Sequence, residues 1–232
     1  MKSKNIYGLL AFVLPFMFWS CKKEGVTYEN INTSTVMLFN SYAVSSTPAI
    51  TADAYFNGQK INMGAFGYTT LVSNLVVNAG NKKIAFKKSS DSSLLAQGDF
   101  NLAEGTVNTL YLTGTPDDGA IVTTVDDLTP APAGKARIRA IHLSPNLTAA
   151  DFYMVGGPVV TKALTYKSFT EYMEVDTGSY VFQVRDAATL SVKGATASIR
   201  LASTRNYTFI ARGLVGRTPA LTLQILNNIK PY

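Results

Sequence analysis

Few side chains in this 232-residue chain are equipped for chemistry, since His142 is its only histidine and Cys21 its only cysteine. His142 stands two residues before Ser144 and nine before Asp151, so a Ser–His–Asp set can be drawn from the spacing. Neighbours two apart on one strand or turn seldom reach nucleophile-to-base geometry. The spacing fits better a histidine and a serine that bond backbone groups where a strand runs out, with Pro145 ending it. One histidine cannot supply a metal site built on two or more imidazoles. The acidic pairs Asp117-Asp118 and Asp126-Asp127 match no calcium-loop spacing, which reads them as solvated loops. No Gly-x-Ser-x-Gly elbow, phosphate-binding loop or dinucleotide-binding glycine turn occurs. The expectation is a non-enzyme with no metal and no cofactor.

A second set of polar residues recurs. Asp53 and Tyr55 have counterparts in Asp151 and Tyr153 within similar surroundings. Two readings stand: a carboxylate that accepts backbone amides beside a tyrosine packed on a sheet, or a repeated binding feature. Charge is also uneven. Residues 34–130 hold 5 basic and 8 acidic side chains, whereas residues 135–232 hold 12 basic and 5 acidic ones. Arg137, Arg139, Arg185, Arg200, Arg205 and Arg212 dominate the second set, with Arg217 beyond them. Guanidinium groups suit bidentate contacts to carboxylate or phosphate, so these arginines form a candidate surface for an anionic partner, the alternative being solvated sheet faces.

The elements that must position these residues are strands. Val36, Leu38 and Asn40 alternate with Met37, Phe39 and Ser41, and Tyr180, Phe182 and Val184 alternate with Val181, Gln183 and Arg185. Turn signals such as Asn57-Gly58, Asn78-Ala79-Gly80, Asp117-Asp118-Gly119 and Gly156-Gly157-Pro158 break the runs, and after residue 30 no helical stripe persists over three turns. The class is all-β. The chain also repeats itself. Asp53, Tyr68 and Gly80 each match a position 98 residues on, at Asp151, Tyr166 and Gly178, and Gly114 matches Gly213 at an offset of 99. A constant offset across several turns indicates tandem duplication. The expected organisation is a first β-sandwich module at 34–130, a Pro/Ala linker at 131–134 and a second module at 135–232. Each is the size of an immunoglobulin-like or transthyretin-like sandwich that buries alternate residues between two sheets. Tyr180, Phe182, Val184, Tyr207 and Phe209 are the predicted core of the second.

The N-terminus reads as an export signal, with Lys2 and Lys4, an apolar run from about Ile6 to Trp19, then Ser20 and Cys21. That run is shorter than the roughly 20 residues a spanning helix needs. Residues 1–20 are therefore a predicted signal peptide, and 21–33 a lipidated Cys21 with a polar tether. The sequence around Cys21 resembles a lipobox of the looser kind common in Bacteroidota, with Phe18 and Trp19 as departures. An acylated Cys21 offers no thiolate for catalysis. Lys22 and Lys23 in place of an aspartate favour the outer membrane, and multiple acyl chains would make the anchor stable. The face of that membrane stays open.

The second module carries a family resemblance. Ala136 to Asn146, with the core His142-Leu143-Ser144-Pro145, then Ala150 to Tyr153, Leu164-Thr165-Tyr166, Tyr172 and Val175 to Tyr180, is similar to a bacterial envelope family, domain-of-unknown-function family four-three-nine-seven. The first module departs from it, with Asn40 at the place of His142 and about four extra residues in the next loop. The resemblance implies a β-sandwich repeat in exported proteins, often lipoproteins, and no set activity. The expected function is a membrane-anchored envelope lipoprotein acting as a binding or scaffolding module, with an envelope protein or glycan as partner and no nucleic acid. The alternative is a surface adhesin or an accessory subunit of an outer-membrane uptake or assembly complex, which protease shaving of intact cells would distinguish from a periplasmic protein.

Overall fold

The alternating runs resolve into β-strands joined by tight turns, without helix, in a computed structural model that describes residues 32–44 and 50–228. The predicted signal peptide, Cys21 and the tether up to residue 31 lie outside the described residues. The first half contains β1 (Thr33–Tyr42), β2 (Ala52–Phe56), β3 (Gln59–Lys60), β4 (Leu71–Asn78), β5 (Gly80–Lys88), β6 (Leu94–Leu102), β7 (Val107–Gly114) and β8 (Ala120–Val125). The second contains β9 (Lys135–Leu143), β10 (Ala149–Val155), β11 (Val159–Thr165), β12 (Met173–Asp176), β13 (Gly178–Asp186), β14 (Val192–Ala195), β15 (Ile199–Leu201), β16 (Asn206–Arg212) and β17 (Thr222–Asn228).

The halves are built alike. Strand order is β4-β1-β7-β8 over β3-β2-β5-β6 in the first, and β12-β9-β16-β17 over β11-β10-β13-β14, with β15 on β13, in the second. β1 runs parallel to β7 and β9 parallel to β16, while the other neighbours are antiparallel. Each half is thus a two-sheet sandwich. Val36, Leu38, Ile84, Phe86, Leu110 and Leu112 fill the first core. Ile138, Phe152, Phe182, Val184, Tyr207 and Phe209 fill the second, with Tyr180 packed at its margin. The rings of Phe182 and Phe209 stack 3.8 Å apart there.

Duplication is visible in the backbone even where the sequence has drifted. Positive φ recurs at matched positions: Gly58 and Gly156, Thr69 and Lys167, Ser92 and Leu190, Gly105 and Thr204, Gly114 and Gly213. The fold imposes this conformation, so side chains that disfavour it are carried at a cost. At Gly105 (φ 70°) glycine adopts it freely, whereas Thr204 (φ 63°) holds a β-branched side chain in the left-handed region. Thr204→Gly is expected to raise the unfolding free energy by about 0.5–1 kcal/mol and Gly105→Thr to lower it by about 1–2 kcal/mol, read from urea denaturation; matching signs would refute the account.

A sandwich standing alone has one buried and one solvated face per sheet, and here the structure differs. β1, β7, β9 and β16 are buried on both faces. Their second faces pack on one another, with Phe39, Tyr111 and Val122 of the first half against Ile141, Leu143, Ile210 and Leu226 of the second. Strands apolar on both faces are what a central layer requires. The four sheets are layered, and Ile31–Tyr232 forms one compact unit.

Candidate functional site

The residues best suited to catalysis are spent on backbone. His142 lies at the end of β9 on the face toward the second core and is fully buried. Its Nε2–H donates to the Leu147 carbonyl at 2.8 Å, and its Nδ1 accepts from the Ser144 amide at 3.3 Å. That pairing fixes the neutral tautomer and occupies the lone pair a general base would use. Burial holds the imidazole down to a pKa of about 4. Ser144 Oγ donates to the Gly213 carbonyl at 2.7 Å, and Asp151 accepts the Ala163 amide at 2.8 Å. The drawn Ser–His–Asp set is not assembled.

Asn40 explains why. It takes the register place of His142, and its Oδ1 accepts from the Tyr42 amide at 3.0 Å while its Nδ2 donates to the Phe66 carbonyl at 3.1 Å. A carboxamide and an imidazole each present one acceptor and one donor, and in both modules they accept from the amide two residues on. The flanking backbone agrees: Asn40 N to Thr70 O and Thr69 N to Asn40 O are repeated as His142 N to Ser168 O and Lys167 N to His142 O. His142 is a strand-end cap.

The recurring Asp-x-Tyr pair fares differently. Ala52, Ala54 and Phe56 point into the first core, so Asp53 and Tyr55 lie on the outer face of β2. Asp53 pairs across to Lys87 and Asp151 to Arg185, positions again 98 apart. Lys87 Nζ sits 4.7 Å from the centre of the Tyr55 ring, and the Arg185 guanidinium 4.3 Å from that of Tyr153. Each outer sheet therefore carries one carboxylate, one half-exposed tyrosine and one cation in the same arrangement. The polar surroundings have diverged. Asp53 accepts from Asn62 at 3.0 Å and pairs with Lys60 at 2.9 Å. Burial pushes its carboxyl up, but the bonds from Lys60 and Asn62 outweigh that and hold it below the usual carboxylate range. Asp151 instead receives the Tyr153 hydroxyl at 3.4 Å, and Arg185 donates to Gln183 Oε1 at 2.8 Å. Lys87, Lys60 and Asn62 escaped sequence reasoning, although the offset that links Asp53 to Asp151 also links Lys87 to Arg185.

The proposed arginine surface needs correction. Arg139 is 2% exposed and forms an ion pair with Asp126 of the first half. It faces the other module because it alternates with Ile138 and Ala140 on β9. Arg137 binds Asp127 at 2.7 Å, and both guanidinium groups lie over the Tyr172 ring. Arg212 donates to Gln224 and sits 4.9 Å from the Tyr68 ring. Arg185 belongs to the Tyr153 cluster. Arg200 and Arg205 are exposed. Lone positive charge is thus reduced to scattered positions, and no continuous basic face joins the six arginines.

Two other features bear on ligands. A cleft of about 470 Å³ lies beside the inter-module junction, lined by Val107, Val125, Asp127, Leu128 and Pro130 among others. Among the described residues, no three His, Cys, Asp or Glu side chains are gathered as a metal site would need.

The duplicated strand order and the caps at Asn40 and His142 define a repeat that sequence comparison places. The profile of the family described as Domain of unknown function (DUF4397) matches residues 40–153 and again residues 143–231. The chain belongs to this family. The first match runs past the Pro/Ala junction into β10, and the second opens at Leu143, the last residue of β9. No curated protein matches the chain. Among solved structures it is similar to a family 26 carbohydrate-binding module from Eubacterium rectale Amy13K in complex with maltoheptaose, at 10% identity and a TM-score of 0.25, over 85% of this chain and 98% of that one. It is also similar to a structure described as α-glucan binding by a streptococcal virulence factor, at 12% identity and a TM-score of 0.26, over 84% of this chain and 97% of that one.

Proposed function

We propose that this DUF4397 protein is a lipid-anchored envelope protein whose two-module body is a non-catalytic binding or scaffolding unit, holding a partner protein or glycan near the outer membrane. The carrying observation is the duplicated Asp–Tyr–cation cluster, one on each outer sheet. The inner sheets are covered by each other, so the outer faces are the sheet surfaces left for a partner. Asp53 and Asp151 are themselves buried, so what each outer sheet offers a partner is the half-exposed tyrosine and the cation over its ring, which give contact area and directional donors at low entropic cost. His142 and Ser144 being committed to backbone supports the non-catalytic part of the reading.

The test is capture of partners from envelope extract by the native lipoprotein and by Tyr55→Ala, Tyr153→Ala and the double variant. Recovery is expected to fall several-fold in each single variant and at least tenfold in the double, in line with loss of central aromatic contacts. Undiminished capture by a folded double variant would overturn the assignment of the outer faces. Anchoring is tested separately: Cys21→Ser is expected to abolish incorporation of labelled palmitate and to release the protein from the membrane fraction.

A further inference from the structure

The contacts between the modules obey a symmetry that a linear duplication does not require. Tyr68 of the first module lies under the Arg212 guanidinium of the second. Their repeat mates, Tyr166 and Thr113, lie near each other across the same junction with the modules exchanged, without a hydrogen bond between them, Thr113 Oγ1 donating instead to the Leu143 carbonyl of the second module at 3.1 Å. Two further contacts cross the junction outside this correspondence, Gln224 Nε2 of the second module donating to the Thr69 carbonyl of the first at 3.3 Å and Lys167 of the second pairing with Asp118 of the first at 3.0 Å. In the centre, Phe39 and Tyr111 share one apolar cluster with their own mates, Ile141 and Ile210. Residue i meets j while the mate of j meets the mate of i, which is the signature of a self-complementary, two-fold interface.

At one buried, charged position the symmetry is broken. Thr109 Oγ1 donates to Asp126 at 2.5 Å, and its mate Thr208 donates to Asn228 at 2.8 Å, so Asp126 and Asn228 are equivalent. Arg139 pairs in register with Thr208, and Met37 with Thr109, so Arg139 and Met37 are equivalent too. Arg139 crosses the junction to Asp126, bonds Thr124 Oγ1 at 3.2 Å and lies over the Tyr172 ring. The symmetry-related place holds the neutral residues Met37 and Asn228, both buried.

We propose that the face joining the modules is a fused two-fold dimer interface, fitted to a second copy of the same module, in which Arg139 and Asp126 make the two copies complementary where they would otherwise be identical. Pairing of first with first would set each Asp126 against Met37, and pairing of second with second would set each Arg139 against Asn228. Either arrangement buries charges without counter-ions, which is strongly unfavourable. Unlike modules are thereby selected, and the linker holds an unlike pair together in every chain.

The experiment transplants the pair in the full chain and reads the melting temperature by circular dichroism. Asp126→Asn and Arg139→Met are each expected to lower Tm by about 10 °C, because each strands one buried charge. The double variant D126N/R139M copies the neutral solution at Met37 and Asn228 and should regain at least half of that loss. In the reverse direction, Met37→Arg alone should lower Tm, and Asn228→Asp added to it should restore most of the loss by building a second ion pair at the symmetric place. Recovery in both directions supports the proposal. Additive loss in either double variant shows that the two ends of the interface are not equivalent and overturns it, and this readout holds even if a single variant fails to fold.

Discussion

Acidification from pH 7 to pH 4 is expected to remove about 3 kcal/mol of folding stability through His142, and a His142→Asn variant is expected to lose that much less than the wild type. In the folded protein the imidazole is held at a pKa of about 4 by burial, against about 6.5 in an unfolded chain. Stability from this group is therefore complete above pH 6.5. It declines as the unfolded state binds a proton that the native state refuses, and most of it is gone near pH 4. Protonation of Nδ1 would also aim a second N–H at the Ser144 amide that it now accepts. Asparagine has no proton to gain and is the cap that the first module already uses at Asn40. Carboxylates such as Asp53 are common to both proteins and cancel in the comparison. Urea unfolding of both proteins at pH 7 and pH 4 measures the difference, and equal losses would remove His142 as the cause. A catalytic histidine would titrate close to neutral pH, so the same measurement bears on the non-catalytic reading.

The fold was legible where a residue's role is local. Alternation on β1 and β13, the Asn57-Gly58 hairpin and the 98-residue offset each follow from short stretches of sequence, and the family of the second module follows from His142-Leu143-Ser144-Pro145. The backbone bonds of His142 and Ser144 also follow from local geometry, two residues apart at a strand end. The arginines misled because their partners are distant. Arg139 alternates correctly for an outward residue of a lone sandwich, and only the first module, approaching from outside, turns that outward face into an interior. Asp126 stands 13 residues earlier, beyond the linker, and nothing in its neighbourhood marks it as a counter-ion. β1 did carry a hint: Met37 and Phe39 are apolar on the face that a solvated sheet would leave polar. The cationic partners of Tyr55 and Tyr153 lay within reach, since register between β2 and β5 follows once the repeat is aligned.

Gly114→Ala is expected to cost about 3 kcal/mol or more and to unfold both modules together. A Cβ at Gly114 would lie 1.9 Å from the Asp118 carbonyl oxygen, and the residue's φ of 110° already disfavours any side chain. Both the backbone strain and the displacement of the β7–β8 turn must be met. Gly105 is the control. Its φ is 70° but nothing lies within 4 Å of an added Cβ, so Gly105→Ala should cost only about 1 kcal/mol. Gly213, the mate of Gly114, has φ 87° and would place its Cβ 2.4 Å from the Ala220 carbonyl oxygen, so Gly213→Ala should behave like Gly114→Ala from the other module. The shared outcome follows from the layering. β7 packs on the first core with Leu110 and Leu112 and on the second module with Tyr111, so loosening it withdraws support from β16 and Ile210. Hydrogen exchange reads this directly: in Gly114→Ala, amides of β13 in the distant sheet should lose protection in parallel with those of β5. Retained protection in β13 would mean that the modules are stable independently, and that the buried face between them joins two autonomous sandwiches instead of completing one cooperative unit.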